Sequence, residues 1–119
     1  MEKEEEIIEQ YTAKEDIDKI FALVMKNKLV KTEHFNIRVI ERDIQGELID
    51  TNINKSEKIK LIDKRKHKKD MGYDLYYELS NNQTLKLCFI PLKDKTLLIN
   101  AILRHRKWQS SIRFLNRRG

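Results

Sequence analysis

Near residue 54 the hydrophobic period of this chain changes from that of a helix to that of a strand, and this change fixes the class of fold. Ahead of it, Ile17, Ile20, Phe21 and Val24 fall at i, i+3, i+4 and i+7, the apolar stripe of a core-facing helix. Beyond it the period is two. Ile59 and Leu61 alternate with lysines. Tyr73, Leu75, Tyr77 and Leu79 alternate with Asp74, Tyr76 and Glu78, and Leu85, Leu87 and Phe89 alternate with Lys86 and Cys88. Leu97, Ile99, Ala101 and Leu103 form one face of a last long strand. Ser80-Asn81-Asn82-Gln83 and Lys93-Asp94-Lys95 are turns by composition, and Pro91 closes the strand between them. Turns this short join antiparallel neighbours, because parallel strands need a long crossover. The expected fold is therefore α+β: two or three N-terminal helices packed on one face of a three- or four-stranded antiparallel sheet, followed by a short basic C-terminal segment.

The helical half carries its own start signals. Thr12-Ala13-Lys14-Glu15 has the form of a capping box, which predicts a helix from Ala13 to Lys28. Upstream, Ile7, Ile8 and Tyr11 stand at helical spacing within the acidic stretch Glu2 to Tyr11. Thr32 offers a second cap. Ile37, Ile40, Ile44 and Leu48 then predict a helix from Glu33 to Asn52 with Gly46 as a bend or break. Phe35, Ile37 and Val39 also alternate, so a strand is the competing reading there. Ser110 and Ser111 can cap a short C-terminal helix. A length of 119 residues suits a single domain.

Charge is unevenly placed. Residues 1–20 hold eight acids and three bases, net −5; residues 58–70 hold seven bases and two acids, net +5; residues 101–119 hold six bases and no acid, net +6. Two basic blocks on one face would suit a polyanion such as nucleic acid. The C-terminal block is mostly arginine, whose fork of donors matches phosphate. Lysine-rich loops, in contrast, are often plain solvated surface. The acidic N-terminal segment can lie over such a site and compete with RNA, or it can be a solvated tail. One cysteine leaves no intrachain disulfide framework and points to the cytoplasm. The longest unbroken apolar run, Ile20 to Met25, is far short of the roughly 20 residues that cross a bilayer, so no membrane partner is expected.

His34, Arg38 and Arg42 stand four residues apart. On a helix each such step advances about 40°, so the three share one stripe; on a strand the even spacing would also place them on one face. An imidazole beside two guanidiniums is useful in phosphodiester chemistry. Histidine can carry a proton, and arginine can neutralise the charge that builds on a pentacoordinate phosphorus. The plainer alternative is a solvated helix face whose charges pair with Glu41 and Asp43.

The run His34-x3-Arg38-x3-Arg42-Asp43-Ile44 precedes strands that contain Tyr76-Tyr77-Glu78-Leu79, Leu85-Lys86-Leu87-Cys88 and Leu97-Leu98-Ile99-Asn100. This arrangement resembles a RelE-related group of the barnase–EndoU–colicin–RelE superfamily, which opens on a helix of pattern His-x3-Arg-x3-Arg-Gly-Ile. The likeness covers about residues 34–103. It divides the chain into an N-terminal helical extension (1–30), a RelE-like core (31–108) and a basic tail (109–119). Asp43 stands where that group commonly has Gly, and Asn100 where it commonly has Thr. The resemblance implies a small metal-independent endoribonuclease, a toxin or phage-borne RNase, with no cofactor. It also implies an acidic protein partner such as an antitoxin. Residue by residue it carries over only His34, Arg38 and Arg42 as catalytic.

Candidate nucleic-acid contacts lie elsewhere. Lys64, Arg65, Lys66, His67, Lys68 and Lys69 form a basic run that could grip a phosphate backbone. Tyr76 could stack on a base or donate a proton. Arg104, His105, Arg106, Lys107 and Trp108 close the last strand, and a Trp among bases can stack a nucleobase or fold back onto the core. His34, His67, His105 and Cys88 have no close ligand pairing, so no metal site is expected. Cys88 reads as a buried strand residue. The leading expectation is an RNA-cleaving enzyme. The alternatives are a non-catalytic nucleic-acid-binding or regulatory protein that uses the same basic faces, and an adaptor for an acidic protein.

Overall fold

The fold was obtained as a computed structural model, which describes residues 6–113. In chain order they form β1 (Glu6–Tyr11), α1 (Lys14–Met25), β2 (Lys28–Lys31), α2 (Glu33–Glu41), α3 (Gly46–Asn52), β3 (Ile59–His67), β4 (Asp70–Ser80), β5 (Gln83–Pro91) and β6 (Lys95–Arg104). Short 3-10 turns cover Ser56–Lys58 and Trp108–Ser111. The six strands make one sheet in the order β1-β3-β4-β5-β6-β2. Neighbours are antiparallel except β2, which runs parallel to β6. The expected three- or four-stranded antiparallel sheet with helices on one face is therefore corrected to a six-stranded mixed sheet with three helices.

Both extra strands come from the N-terminal region, and each has a physical reason for escaping the pattern. β1 pairs with β3, but its register shifts between Ile7 and Glu9. A bulge there inserts one residue, so Ile7, Ile8 and Tyr11 mimic helical spacing. Ile8 is the exposed member. Residues 6–11 are thus an edge strand and not part of a free acidic tail; residues 1–5 lie outside those described. β2 is four residues with lysine at both ends, too short to show a period. The capping box is also corrected. α1 begins one residue later than that motif requires, with Ala13 as N-cap and no side-chain cap.

Thr32 does cap α2, its hydroxyl accepting from Phe35 N at 3.1 Å. The break expected within 33–52 is present but lies ahead of Gly46, at Asp43, whose φ of 53° is left-handed, a conformation Asp tolerates better than most residues. Gly46 opens α3 instead of bending a longer helix. The inward face of α2 differs from the expected one. Phe35 is buried, while Ile37 is exposed and Ile40 is 78% exposed. Ile44, Ile49 and Ile53 beyond the break join Phe35 in the core.

That core also takes Ile17 and Val24 of α1, Tyr73, Leu75 and Tyr77 of β4, and Leu85, Leu87 and Phe89 of β5. In β3 the register shift between Ile59 and Leu61 brings Ile59 and Ile62 into the core. Leu61 therefore does not share a face with Ile59, as strict alternation would have it. In β6 the ladder shifts at Ile99, because Cys88 pairs with Asn100 and Phe89 with Leu98. Ala101 and Leu103 keep the expected inward phase, but ahead of the shift Leu98 faces the core where alternation expects Leu97 and Ile99. The three central strands otherwise pair as the expected meander.

The second sheet face is polar and yet buried. Its rungs are Asp63–Asp74–Cys88–Asn100 and Leu61–Tyr76–Lys86–Ile102. Beyond β6 the chain folds back over the far end of this face. Thr84 Oγ1 donates to Arg106 O (2.9 Å), Arg104 Nη1 to Ser111 Oγ (3.4 Å), and Gln10 Nε2 to Ser111 O (2.9 Å). Ser110 and Ser111 sit inside a 3-10 turn with no side-chain cap; the basic C-terminal helix expected beyond them falls largely on residues 114–119, which lie outside those described. Among the described residues no helix is long and apolar enough to cross a membrane.

Candidate functional site

The helix α2 brings His34 and Arg38 into contact, while Arg42 at its C-cap turns to the sheet. Arg38 Nε donates to His34 Nε2 at 3.3 Å, and Arg38 Nη1 donates to Glu41 Oε1 at 3.1 Å. Arg42, at the C-cap, reaches back to the sheet. Its Nη1 donates to Asn100 Oδ1 at 2.7 Å and to Ala101 O at 2.8 Å. Asn100 Oδ1 also accepts from Ala101 N at 2.9 Å. The bulge at Ile99 aims Asn100 this way, so a backbone irregularity ties α2 to β6.

His34 opens onto a cleft of about 390 Å³ on the polar sheet face. Its walls include Ile90 and Ile99, and its inner end holds Arg65, Asp74, Cys88 and Asn100. Gly72 contributes to the floor. A Cβ there would lie 3.3 Å from Phe89 O and 3.6 Å from Ile90 Cγ1, so a side chain would press on the Phe89 carbonyl.

The polar groups behind the cleft are held as a network. Asp74, 3% exposed, pairs with Arg65 and has Lys86 Nζ at 3.6 Å. Lys86 Nζ also lies 5.5 Å over the Tyr76 ring. Asp63, fully buried, accepts Gln10 Nε2 on one oxygen and the Tyr76 hydroxyl on the other, both at 2.7 Å. Burial pushes the Asp63 carboxyl above its ordinary range, opposed by the two donated hydrogen bonds and by Arg65, and reinforced by Asp74. Burial also raises the Tyr76 phenol, as do Asp63 and Asp74. The Cys88 thiol is driven up by burial first and by Asp74 second. Burial works against the charge of Arg65, but its contact with Asp74 outweighs that and holds it protonated.

The basic candidates are distributed unevenly. Lys64 lies 3.9 Å from Glu9, and Lys66 is exposed at the end of β3. His67 pairs with Asp70 in the ladder. Lys68, with φ 60°, and Lys69 form the exposed hairpin turn. Arg104 is half-buried against Ser111, while His105, Arg106 and Lys107 are exposed and Trp108 is half-buried. The register separates the two basic blocks. Arg65 is level with Gly72, whereas Arg104 is level with Thr84 and Glu78, six residues further along β4. At about 3.3 Å per residue that is roughly 20 Å. His34 shares the cleft with Arg65 and is remote from Arg104. Tyr76, expected at a binding surface, is buried with its hydroxyl given to Asp63.

Sequence reasoning did not select Gly72, Asp74, Ile90, Ile99 or Asn100 for the cleft. The alternation of Asp74 with Tyr73 and Leu75 placed it on the second face; nothing local showed that this face is enclosed. No known protein family, no curated protein and no solved structure matches this chain.

Proposed function

We propose that this protein is a small endoribonuclease that works in the cytoplasm and uses the 2′-hydroxyl of its RNA substrate as nucleophile. The observation that carries the reading is the His34–Arg38 contact at the mouth of a cleft of about 390 Å³. In the reaction the 2′-oxygen bonds to the adjacent phosphorus and the bond to the 5′-oxygen breaks, leaving a cyclic phosphate and a 5′-hydroxyl. His34 takes the 2′-proton or supplies the one that the leaving oxygen needs, and solvent handles the other. Arg38 stabilises the charge on the pentacoordinate phosphorus. Arg42 anchors α2, so its part is to hold the other two in place. The lysines of the β3–β4 turn neutralise phosphates that flank the cleft. The departure at Asp43 from the glycine of the resembled group is met by a φ of 53°, the backbone a glycine there would also supply.

One observation favours a binding module without chemistry: Arg42 is engaged by Asn100 and Ala101 and Tyr76 is buried, which removes two of the expected reacting groups. Incubation of the purified chain with a panel of RNAs in EDTA decides between them. Cyclic phosphate ends that form with the wild-type chain and vanish with His34→Ala support the enzyme. Intact RNA with both proteins, bound equally well, establishes the binding module.

A further inference from the structure

The cleft beside His34 has a chemistry that the cleavage reaction itself does not require. Its walls are apolar, with Ile90 and Ile99 the chief aliphatic side chains. Its inner end offers an acceptor and two kinds of donor: the Asp74 carboxylate, the Arg65 guanidinium and the Asn100 amide. Asn100 uses only its oxygen, for Arg42 and Ala101, and its Nδ2 has no partner among the described residues. A phosphate would have to take the Arg65 guanidinium from Asp74, with which it is already paired. A purely aliphatic ligand would bury the Asn100 amide nitrogen without a partner, which is costly. A flat ring with donors and acceptors along one edge meets both demands, with its faces on isoleucine and its edge on Asp74, Arg65 and Asn100. Volumes of about 300–1,000 Å³ are usual for small-ligand sites, and this cleft falls at the compact end. Gly72 keeps the floor open where any side chain would crowd Phe89 O.

We propose that the cleft binds one unstacked nucleobase, and so selects the nucleotide whose phosphate meets His34 and Arg38. This inference rests on the ribonuclease reading for its RNA context but is tested by binding alone. Single-stranded RNA recognition commonly proceeds by splaying a base into a pocket that reads its edge.

The test titrates the ¹⁵N-labelled full chain with the four nucleoside 5′-monophosphates and with ribose 5-phosphate at constant ionic strength. At least one nucleotide is expected to bind about tenfold tighter than ribose 5-phosphate and to shift the amides of Gly72, Cys88, Ile90 and Ile99. Ile99→Phe, which fills the cleft while leaving His34 and Arg38 untouched, should abolish that advantage and keep the affinity for ribose 5-phosphate. Equal affinities for nucleotides and sugar phosphate overturn the proposal, as do shifts confined to other residues. Both of these are read on the wild-type chain and do not depend on how the variant folds. An advantage that survives in a folded Ile99→Phe protein also overturns it. Base binding without RNA cleavage would retain the cleft and refute the nuclease; cleavage without base binding would do the reverse.

Discussion

Tyr76→Phe tests whether Asp63 holds a negative charge inside the sheet. The substitution keeps the ring, and with it the Lys86 Nζ contact at 5.5 Å, and removes only the hydroxyl that donates to Asp63 Oδ2 at 2.7 Å. Asp63 is then left with Gln10 as its side-chain donor at 2.7 Å. A hydrogen bond to a charged acceptor contributes about 1.5–3 kcal/mol and one between neutral groups about 1 kcal/mol. Where Asp63 is ionised the variant should therefore lose about 2 kcal/mol, and where it is protonated about 1 kcal/mol. The sign of the pH dependence follows from burial, which raises the Asp63 pKa in the folded chain. A raised carboxyl binds its proton more readily when folded. Its contribution is thus fully present below the unfolded value of about 3.9 and is lost as pH rises through the folded value. Removing the Tyr76 donor raises the folded value further, so the loss grows and extends to higher pH. Urea unfolding of both proteins followed by circular dichroism, at steps between about pH 4 and 8, measures it. A penalty constant at about 1 kcal/mol across that range would show that Asp63 does not ionise in the fold, and one constant at about 2 kcal/mol that it is ionised throughout. A penalty below about 0.5 kcal/mol throughout would show that the hydroxyl is not a buried donor.

Leu87→Asp places a carboxylate in the core beneath the helices and should cost several kcal/mol; a wild-type-like cooperative melt would contradict the face assignment. On α2, Phe35→Ala should cost about 3–5 kcal/mol, whereas Ile40→Ser should stay within about 0.5 kcal/mol because Ile40 is 78% exposed. The opposite ranking by thermal melting would reverse the helix. Cys88 should resist iodoacetamide at about pH 8 until urea unfolds the chain, since burial and Asp74 disfavour its thiolate; rapid alkylation of the folded protein would place it at the surface. Asn100→Ala removes the acceptor shared by Arg42 Nη1 and Ala101 N and should lower stability by about 1–3 kcal/mol; unfolding midpoints equal to wild type would detach α2 from this residue.

The part of the fold that was legible is the part where packing enforces a strict period. Tyr73 to Leu79 and Leu85 to Phe89 alternate because one face of β4 and β5 meets the helices, and the meander follows from the short turns between them. Legibility fails where one inserted residue changes the phase. Lys60 and Ile99 each shift a register, so Ile59 and Ile62 in one strand, and Leu98 and Ala101 in another, reach the core at a spacing of three. In β1 the same device at Ile8 imitates a helix. The helix α2 misled in a different manner. Of the four positions at helical spacing, Ile44 and Leu48 beyond the break at Asp43 do reach the core, whereas Ile37 and Ile40 ahead of it are exposed and Phe35 turns inward instead.

For the site, spacing within one element was enough to bring His34 and Arg38 together, because a four-residue step on a helix needs no tertiary information, whereas the tie of Arg42 to Asn100 needed the sheet. The sheet side of the cleft needed register. Asp63, Asp74, Cys88 and Asn100 come from four strands and form one rung only once three pairings and a bulge are set. The burial of Asp63, Asp74 and Cys88 was hidden for a further reason. Polar residues that alternate with a core face are normally solvated, and here the chain beyond Arg104 returns across that face and removes much of the water. Enclosure changes what those side chains can do. In water Arg65 and Asp74 would be a weak surface pair; buried beside Lys86, each keeps its position only while the other remains. That mutual constraint supplies the cleft with a fixed acceptor and a fixed donor, and fixed groups recognise an edge more selectively than mobile ones.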